Sequence, residues 1–200
     1  NLEAGTYDVL EHTNTIKEVV VKTDSPNVDI VGAHLDLVAI EIELVDSPER
    51  EYMLKKALVE VKNDYDYILI DCAPSLGLIT LNALTAADSV IIPIQCEYYA
   101  LEGLRKLLNT ISSVQKIHNP KLDIEGLLLT MYDSRLRLSN QVVEEVKNFF
   151  PEMVFNTIIQ RNVKLSEAPS FGESIIKYDA DSKGAVNYLN LSHEKKKKNK

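Results

Sequence analysis

The 200-residue sequence has no tryptophan, two cysteines and seven glycines. So little cysteine excludes a disulfide-stapled secreted scaffold and a zinc site built on thiolates. Cys72 and Cys96 each follow an apolar run, so two buried, reduced thiols at strand ends are expected. His12, His34, His118 and His193 are scattered and assemble no metal-ligand spacing. No uninterrupted apolar run reaches the roughly 18 residues a membrane-spanning helix needs. No strand-like segment is rich in aromatics, which argues against a base-stacking platform for single-stranded nucleic acid. Ser75 and Ser170 lack the Gly-x-Ser-x-Gly elbow, which excludes a hydrolase nucleophile of that kind. Asn1 to Gly5 show neither a starting Met nor a signal-peptide pattern and read as the start of a trimmed chain.

Positive charge is also in short supply. There are 22 Lys and Arg against 30 Asp and Glu, a net charge of −8. Residues 193–200 carry five Lys and one Glu, net +4, which leaves −12 on the body. An acidic body does not bind nucleic acid over its whole surface, so any such contact needs a local basic patch. The expected organisation is one domain over residues 1–192 and a solvated, disordered Lys-rich tail over 193–200.

What is present is alternation. Tyr67–Ile70, Ser89–Ile94, Ile124–Thr130 and Val154–Ile159 are short, nearly continuous apolar runs, the mark of strands buried on both faces. Val28–Val31 is a shorter candidate. Between them lie helical patterns. Ser47-Pro48-Glu49 reads as an N-cap, a first-turn Pro and an early acid, followed by Met53, Leu54, Ala57, Leu58 and Val61. Leu101 to Ile117 forms a long amphipathic stretch that stops near Asn119-Pro120. Leu138 to Phe150 forms another that ends before Pro151, and Ala185, Tyr188 and Leu189 suggest a short last helix. Strands alternating with helices imply an α/β fold with a mainly parallel sheet. In such sheets ligands sit beyond the carboxyl ends of the strands.

After the first strong run comes Asp71-Cys72-Ala73-Pro74-Ser75. Four apolar residues followed by Asp is the Walker B pattern, in which the carboxylate supports the Mg²⁺ bridging nucleotide phosphates. The same Asp equally suits a turn or a helix cap. The longer segment Tyr65 to Gly77, with Leu81 to Asp88 after it, resembles the Walker B and switch II region of the ParA/Soj family of chromosome- and plasmid-partitioning ATPases. Pro93 to Leu104, Leu129 to Arg135 and Arg161 to Gly172 continue the resemblance, in the family's order and spacing, from about Tyr7 to Leu191.

The resemblance implies a doubly wound, P-loop NTPase-like fold of the deviant Walker type. It implies ATP and Mg²⁺ as cofactors, an ATP-dependent homodimer, and non-specific DNA and a ParB/Spo0J-like centromere-binding protein as partners. A cytoplasmic, nucleoid-associated location follows. Asp71 would support Mg²⁺, through water, and act in catalysis. Ala73, Pro74, Ser75 and Gly77 would form switch II. Met131, Tyr132, Gln160 and Arg161 would line the adenine edge. Glu97 to Glu102 would lie near the subunit face. Arg135 and Lys164, extended by Arg137 and Arg161, would contact DNA.

The sequence departs from the family in three ways. A Gly-rich phosphate loop needs glycines about five residues apart, and here no two are closer than the twelve positions between Gly172 and Gly184. Asn1 is therefore expected to fall just beyond the family's first βαβ unit, and these residues alone are expected to turn over no ATP. Ala73 and Gln160 each stand where the family usually has Pro. Two alternatives follow: a non-catalytic remnant that binds DNA or a partner, and a MinD-like positioning ATPase. Against the second, Asn187 to Leu191 is short and weakly apolar for a membrane anchor.

Overall fold

The structure, a computed structural model, describes residues 4–73 and 77–198. They divide into two compact units. One comprises residues 4–73, 77–88 and 109–122, the other residues 89–108 and 123–198.

The first unit is mostly helical. It contains α1 (Thr6–Leu10), α2 (Ile16–Val19), a two-residue antiparallel hairpin of β1 (Val21–Lys22) and β2 (Asp29–Ile30), α3 (Ile40–Glu43), α4 (Met53–Leu58) and α5 (Leu78–Ala86). Short 3₁₀ turns precede α3 and α4. Two apolar clusters hold it: Leu10, Ile40, Leu44, Met53 and Leu78 form one, and Val9, Ile16, Val19 and Val61 the other. Buried Asn82 stitches the helices together, donating to the Arg50 and Leu78 carbonyls and accepting the Leu54 N–H at 3.0 Å. Asn119 donates to the Leu84 and Ala87 carbonyls and so caps the end of α5.

The second unit carries the parallel sheet. β3 (Ser89–Gln95) pairs with β4 (Asp123–Thr130) in parallel register. α6 (Ala100–Ile117) begins in this unit and ends in the first, and stops just before Asn119-Pro120. α7 (Arg137–Phe149), α8 (Val163–Glu167), α9 (Ile175–Tyr178) and α10 (Lys183–Lys198) follow. Leu128, Phe155 and Ile159 form its core cluster, with Ile91, Leu165 and Leu191 packed against it. Gly126 lets the next segment come close: a Cβ there would stand 2.7 Å from the Phe155 ring. The α/β class and the parallel sheet are as expected.

Several expectations are corrected. Tyr67–Ile70 belongs to no ladder among the described residues, and Leu69 is 84% exposed. An apolar run makes a strand only where neighbours take its backbone hydrogen bonds. Val154–Ile159 is reduced to two isolated parallel bridges, Leu127 to Val154 and Tyr132 to Gln160. Between them the chain bulges: the N–H groups of Phe155 and Ile159, four residues apart, bond the carbonyls of Leu127 and Leu129, two residues apart.

The helix expected to start at Ser47-Pro48 begins at Arg50 instead, after Glu49 in left-handed geometry. Cys72 is exposed rather than buried, while Cys96 is buried and burial pushes its thiol up to about 11. The last helix continues through the Lys-rich tail to Lys198, because Lys is a good helix former and because Glu194 is tied down. Its Oε1 accepts the Asn156 N–H at 2.7 Å and its Oε2 the Thr157 N–H at 2.9 Å, so the carboxylate closes the bulge. No helix among the described residues is long and apolar enough to cross a membrane.

Candidate functional site

The expected site residues fall into both units. In the first, Asp71 is exposed at the end of the apolar run. Ala73 is also exposed, and its carbonyl accepts the Thr80 hydroxyl at 2.9 Å. Gly77 is the N-cap of α5, in ordinary extended geometry. Pro74 and Ser75 lie outside the described residues. Among the described residues no group of three or more His, Cys, Asp or Glu side chains is placed to hold a metal. A lone exposed carboxylate still fits Mg²⁺, which keeps most of its ligands as waters and phosphate oxygens.

In the second unit Tyr132 and Gln160 pair in an isolated parallel bridge just beyond the carboxyl end of β4. Met131, just after β4, takes left-handed geometry at φ 53°, a conformation a bulky side chain rarely adopts. It turns the chain so that the Tyr132 N–H bonds the Ile159 carbonyl at 3.2 Å and the Arg161 N–H bonds the Tyr132 carbonyl at 2.9 Å. Loops 131–136 and 160–162 therefore leave the sheet side by side, as the parallel-sheet argument expects. Asn140 on α7 fixes the first loop. It accepts the Tyr132 hydroxyl at 2.8 Å and donates to the carbonyls of Ser134 and Leu136.

Tyr132 and Gln160 also line a shallow, open cleft of about 420 Å³ with Asn156, Thr157, Ile158, Asn187 and Asn190. Met131 and Arg161, the other two residues expected at the adenine edge, flank the bridge and do not line this cleft. The Gln160 N–H donates to Asn187 Oδ1 at 3.1 Å, a bond that the family's usual Pro has no N–H to make.

Both expected DNA contacts are held by neighbouring acids. The Arg135 guanidinium, with a side chain 86% exposed, grips Asp133 through Nε at 2.9 Å and Nη2 at 2.6 Å. These bonds, the Arg135 backbone N–H and nearby Arg161 hold the Asp133 carboxyl down to about 2, against the effect of desolvation. Lys164 Nζ lies 2.9 Å from Glu167 and 5.5 Å from the centroid of the Tyr178 ring, whose hydroxyl also donates to Glu167. The Glu167 hydrogen bond raises the Lys164 ammonium above its ordinary range. Asn162 caps α8 by accepting the Lys164 N–H, which fixes where that lysine starts. Arg137 and Arg161 are both exposed, Arg137 at the first residue of α7. On the expected subunit face, Tyr98 and Tyr99 are about three-quarters exposed and meet edge to face at 5.1 Å.

Sequence reasoning missed Asp133, Asn140, Glu167 and Glu194. The signals were present for two of them: Asp two residues before Arg is an Asx-turn pattern, and Glu three residues after Lys on a helix is a pairing pattern. Asn140 and Glu194 act across folded contacts that no local pattern announces.

A protein-family model described as an AAA domain matches residues 1–124. The sporulation initiation inhibitor protein Soj of Bacillus subtilis is 54% identical over 194 residues, covering 97% of this chain and 77% of Soj. The chromosome partitioning protein ParA of Myxococcus xanthus is 52% identical over 194 residues, covering 97% and 69%. Among solved structures, a cobyrinic acid a,c-diamide synthase from Mycobacterium smegmatis with bound ADP and magnesium superposes with a TM-score of 0.81 at 36% identity, covering 96% of this chain and 71% of that one.

Proposed function

Since the chain belongs to the ParA/Soj family of chromosome-partitioning proteins, we propose that it works in partitioning as an ATP-dependent, DNA-binding switch. In this reading ATP drives a homodimer that binds non-specific DNA, and a ParB/Spo0J-like protein stimulates hydrolysis and release. A cytoplasmic, nucleoid-associated location follows from that work. Asp71 would hold Mg²⁺ through water, and the ion would supply charge neutralisation at the phosphates. Tyr132 and Gln160 would bound the base, with Met131 and Arg161 beside them. Ala73 to Gly77 would respond to the terminal phosphate. Arg135 and Lys164, with Arg137 and Arg161 in support, would contact DNA phosphates.

The observation that carries the DNA reading is the Tyr132 to Gln160 bridge. It brings two cation-bearing loops to one sheet edge in a body that is otherwise acidic. Cations that neutralise phosphates release counterions, so affinity falls with salt by roughly 0.9 log units per log unit of salt and contact. In the intact protein with Mg-ATP, Arg135→Ala or Lys164→Ala should weaken binding about equally for all sequences. Each should lower the salt slope by about one, while ATP binding survives. Slopes that stay unchanged in both variants would move the contact elsewhere, and deleting residues 195–200 would be the next measurement.

Calorimetry of the intact protein with Mg-ATP tests the nucleotide part of this reading, which requires saturable affinity.

A further inference from the structure

We propose that Asp133 is a positioning residue for DNA binding: its side-on grip on Arg135 turns the free edge of the guanidinium outward to receive a backbone phosphate. The proposal rests on the reading of Arg135 as a phosphate contact. A guanidinium has five N–H donors in a rigid plane. Asp133 takes the Nε–H and one Nη2–H. Three donors remain, two on Nη1 and one on Nη2, and they form a second fork that matches two phosphate oxygens.

The exposures of the two side chains fit this division of labour. The Asp133 side chain is 13% exposed and the Arg135 side chain 86%. The buried partner is the anchor and the exposed one is presented. Asp133 is itself fixed, because its Oδ1 accepts the Arg135 backbone N–H at 3.0 Å, an Asx turn that sets the loop before the side chain is considered. The loop around it is pinned again by Asn140, through the Ser134 and Leu136 carbonyls.

A carboxylate beside a DNA contact also repels the polyanion. A phosphate on the outer edge would stand about 7 Å from the Asp133 oxygens, where an effective dielectric of about 20 to 80 and a Debye length of about 8 Å put the repulsion at roughly 1.5-fold to fivefold in affinity. Freezing a free Arg into one rotamer forfeits severalfold in affinity, and a side chain already held in place avoids that loss.

The test uses the intact protein with Mg-ATP, a mixed-sequence DNA duplex and anisotropy titrations over a salt series. Arg135→Ala is the control for the underlying reading and should lower the salt slope by about one. Asp133→Asn keeps the Asx turn, because the amide oxygen still accepts the Arg135 N–H, but it loses the charge and one of the two side-on acceptors. It should weaken binding about threefold with little change in slope, since the cation is still present. In the Arg135→Ala background the same change should produce no further loss. Asp133→Ser, which can also accept the backbone N–H, serves if the Asn variant folds poorly. Tighter binding by Asp133→Asn with Arg135 present would mean the carboxylate merely competes with phosphate, and would overturn the proposal. An equal loss in both backgrounds would mean that Asp133 only supports the loop, and would overturn it too. Unchanged affinity and slope in Arg135→Ala alone would instead bring down the phosphate-contact reading, a separate signature.

Discussion

At the scale of single residues, the two cations expected to contact DNA are each already paired with a neighbouring acid. The clearest case is Asp133, whose carboxyl is held down to about 2 by the Arg135 side-chain bonds first and the Arg135 backbone N–H second. A depressed carboxyl contributes stability that is present above its unfolded value, near 3.8, and lost as pH falls through its folded value. The 131–136 loop should therefore stay ordered at pH 4 and loosen between about pH 4 and pH 2. An NMR titration of the Asp133 carboxyl carbon checks this, and a midpoint near 3.8 would show the grip absent in solution. Arg135 and Lys164 were candidates through the family resemblance; spacing alone reads such cations as solvated loop charges. Asp133 was not singled out, since an Asp in a loop has a ready role as a turn former and nothing in spacing distinguishes the two roles.

At the scale of elements, β3, β4, α6 and α7 could be read in the sequence nearly to their ends. Their patterns are long, and proline or Asn-Pro marks two of the boundaries. Tyr67–Ile70 carries the same apolar signature as β3 yet joins no ladder among the described residues, because a strand is a property of pairs and its pattern says nothing of its neighbours. The segment 154–160 failed for another reason. Its bulge spends N–H groups on Glu194, 37 and 38 positions away in sequence. Burial works against the charge of Glu194, but the donors from Asn156 and Thr157 outweigh it and keep its carboxyl below the ordinary range. Glu194→Ala leaves those donors without their acceptor and should cost about 1–2 kcal/mol in denaturant unfolding. Glu194→Gln, which keeps one acceptor, should cost less. Equal stabilities for all three proteins would show the contact to be without weight.

At the scale of the molecule, the question is what these 200 residues do without help. Nucleotide phosphates are cradled by successive backbone N–H groups in a Gly-rich loop and by its lysine. With glycines spaced as they are here, the 200 residues alone should bind Mg-ATP weakly or not at all, whatever the cleft at Tyr132 offers the base. Calorimetry on this chain should give no saturable heat at micromolar nucleotide. Micromolar affinity would reveal a phosphate site that the glycine spacing does not announce. Fold class and family role were readable because they rest on many residues at once. The engagement of each charge depends on single contacts made only after folding.

The position of Glu194 divides the tail in a way its composition hides. The acid immediately precedes Lys195, so the contact that closes the bulge and the run of positive charge are neighbours on one helix. A chain that stops one residue before Glu194 gives up the acceptor that closes the bulge as well as the five positive charges that follow it. The composition of the tail shows only the lysines, while the contact to residues 156 and 157 rests on the acid that precedes them.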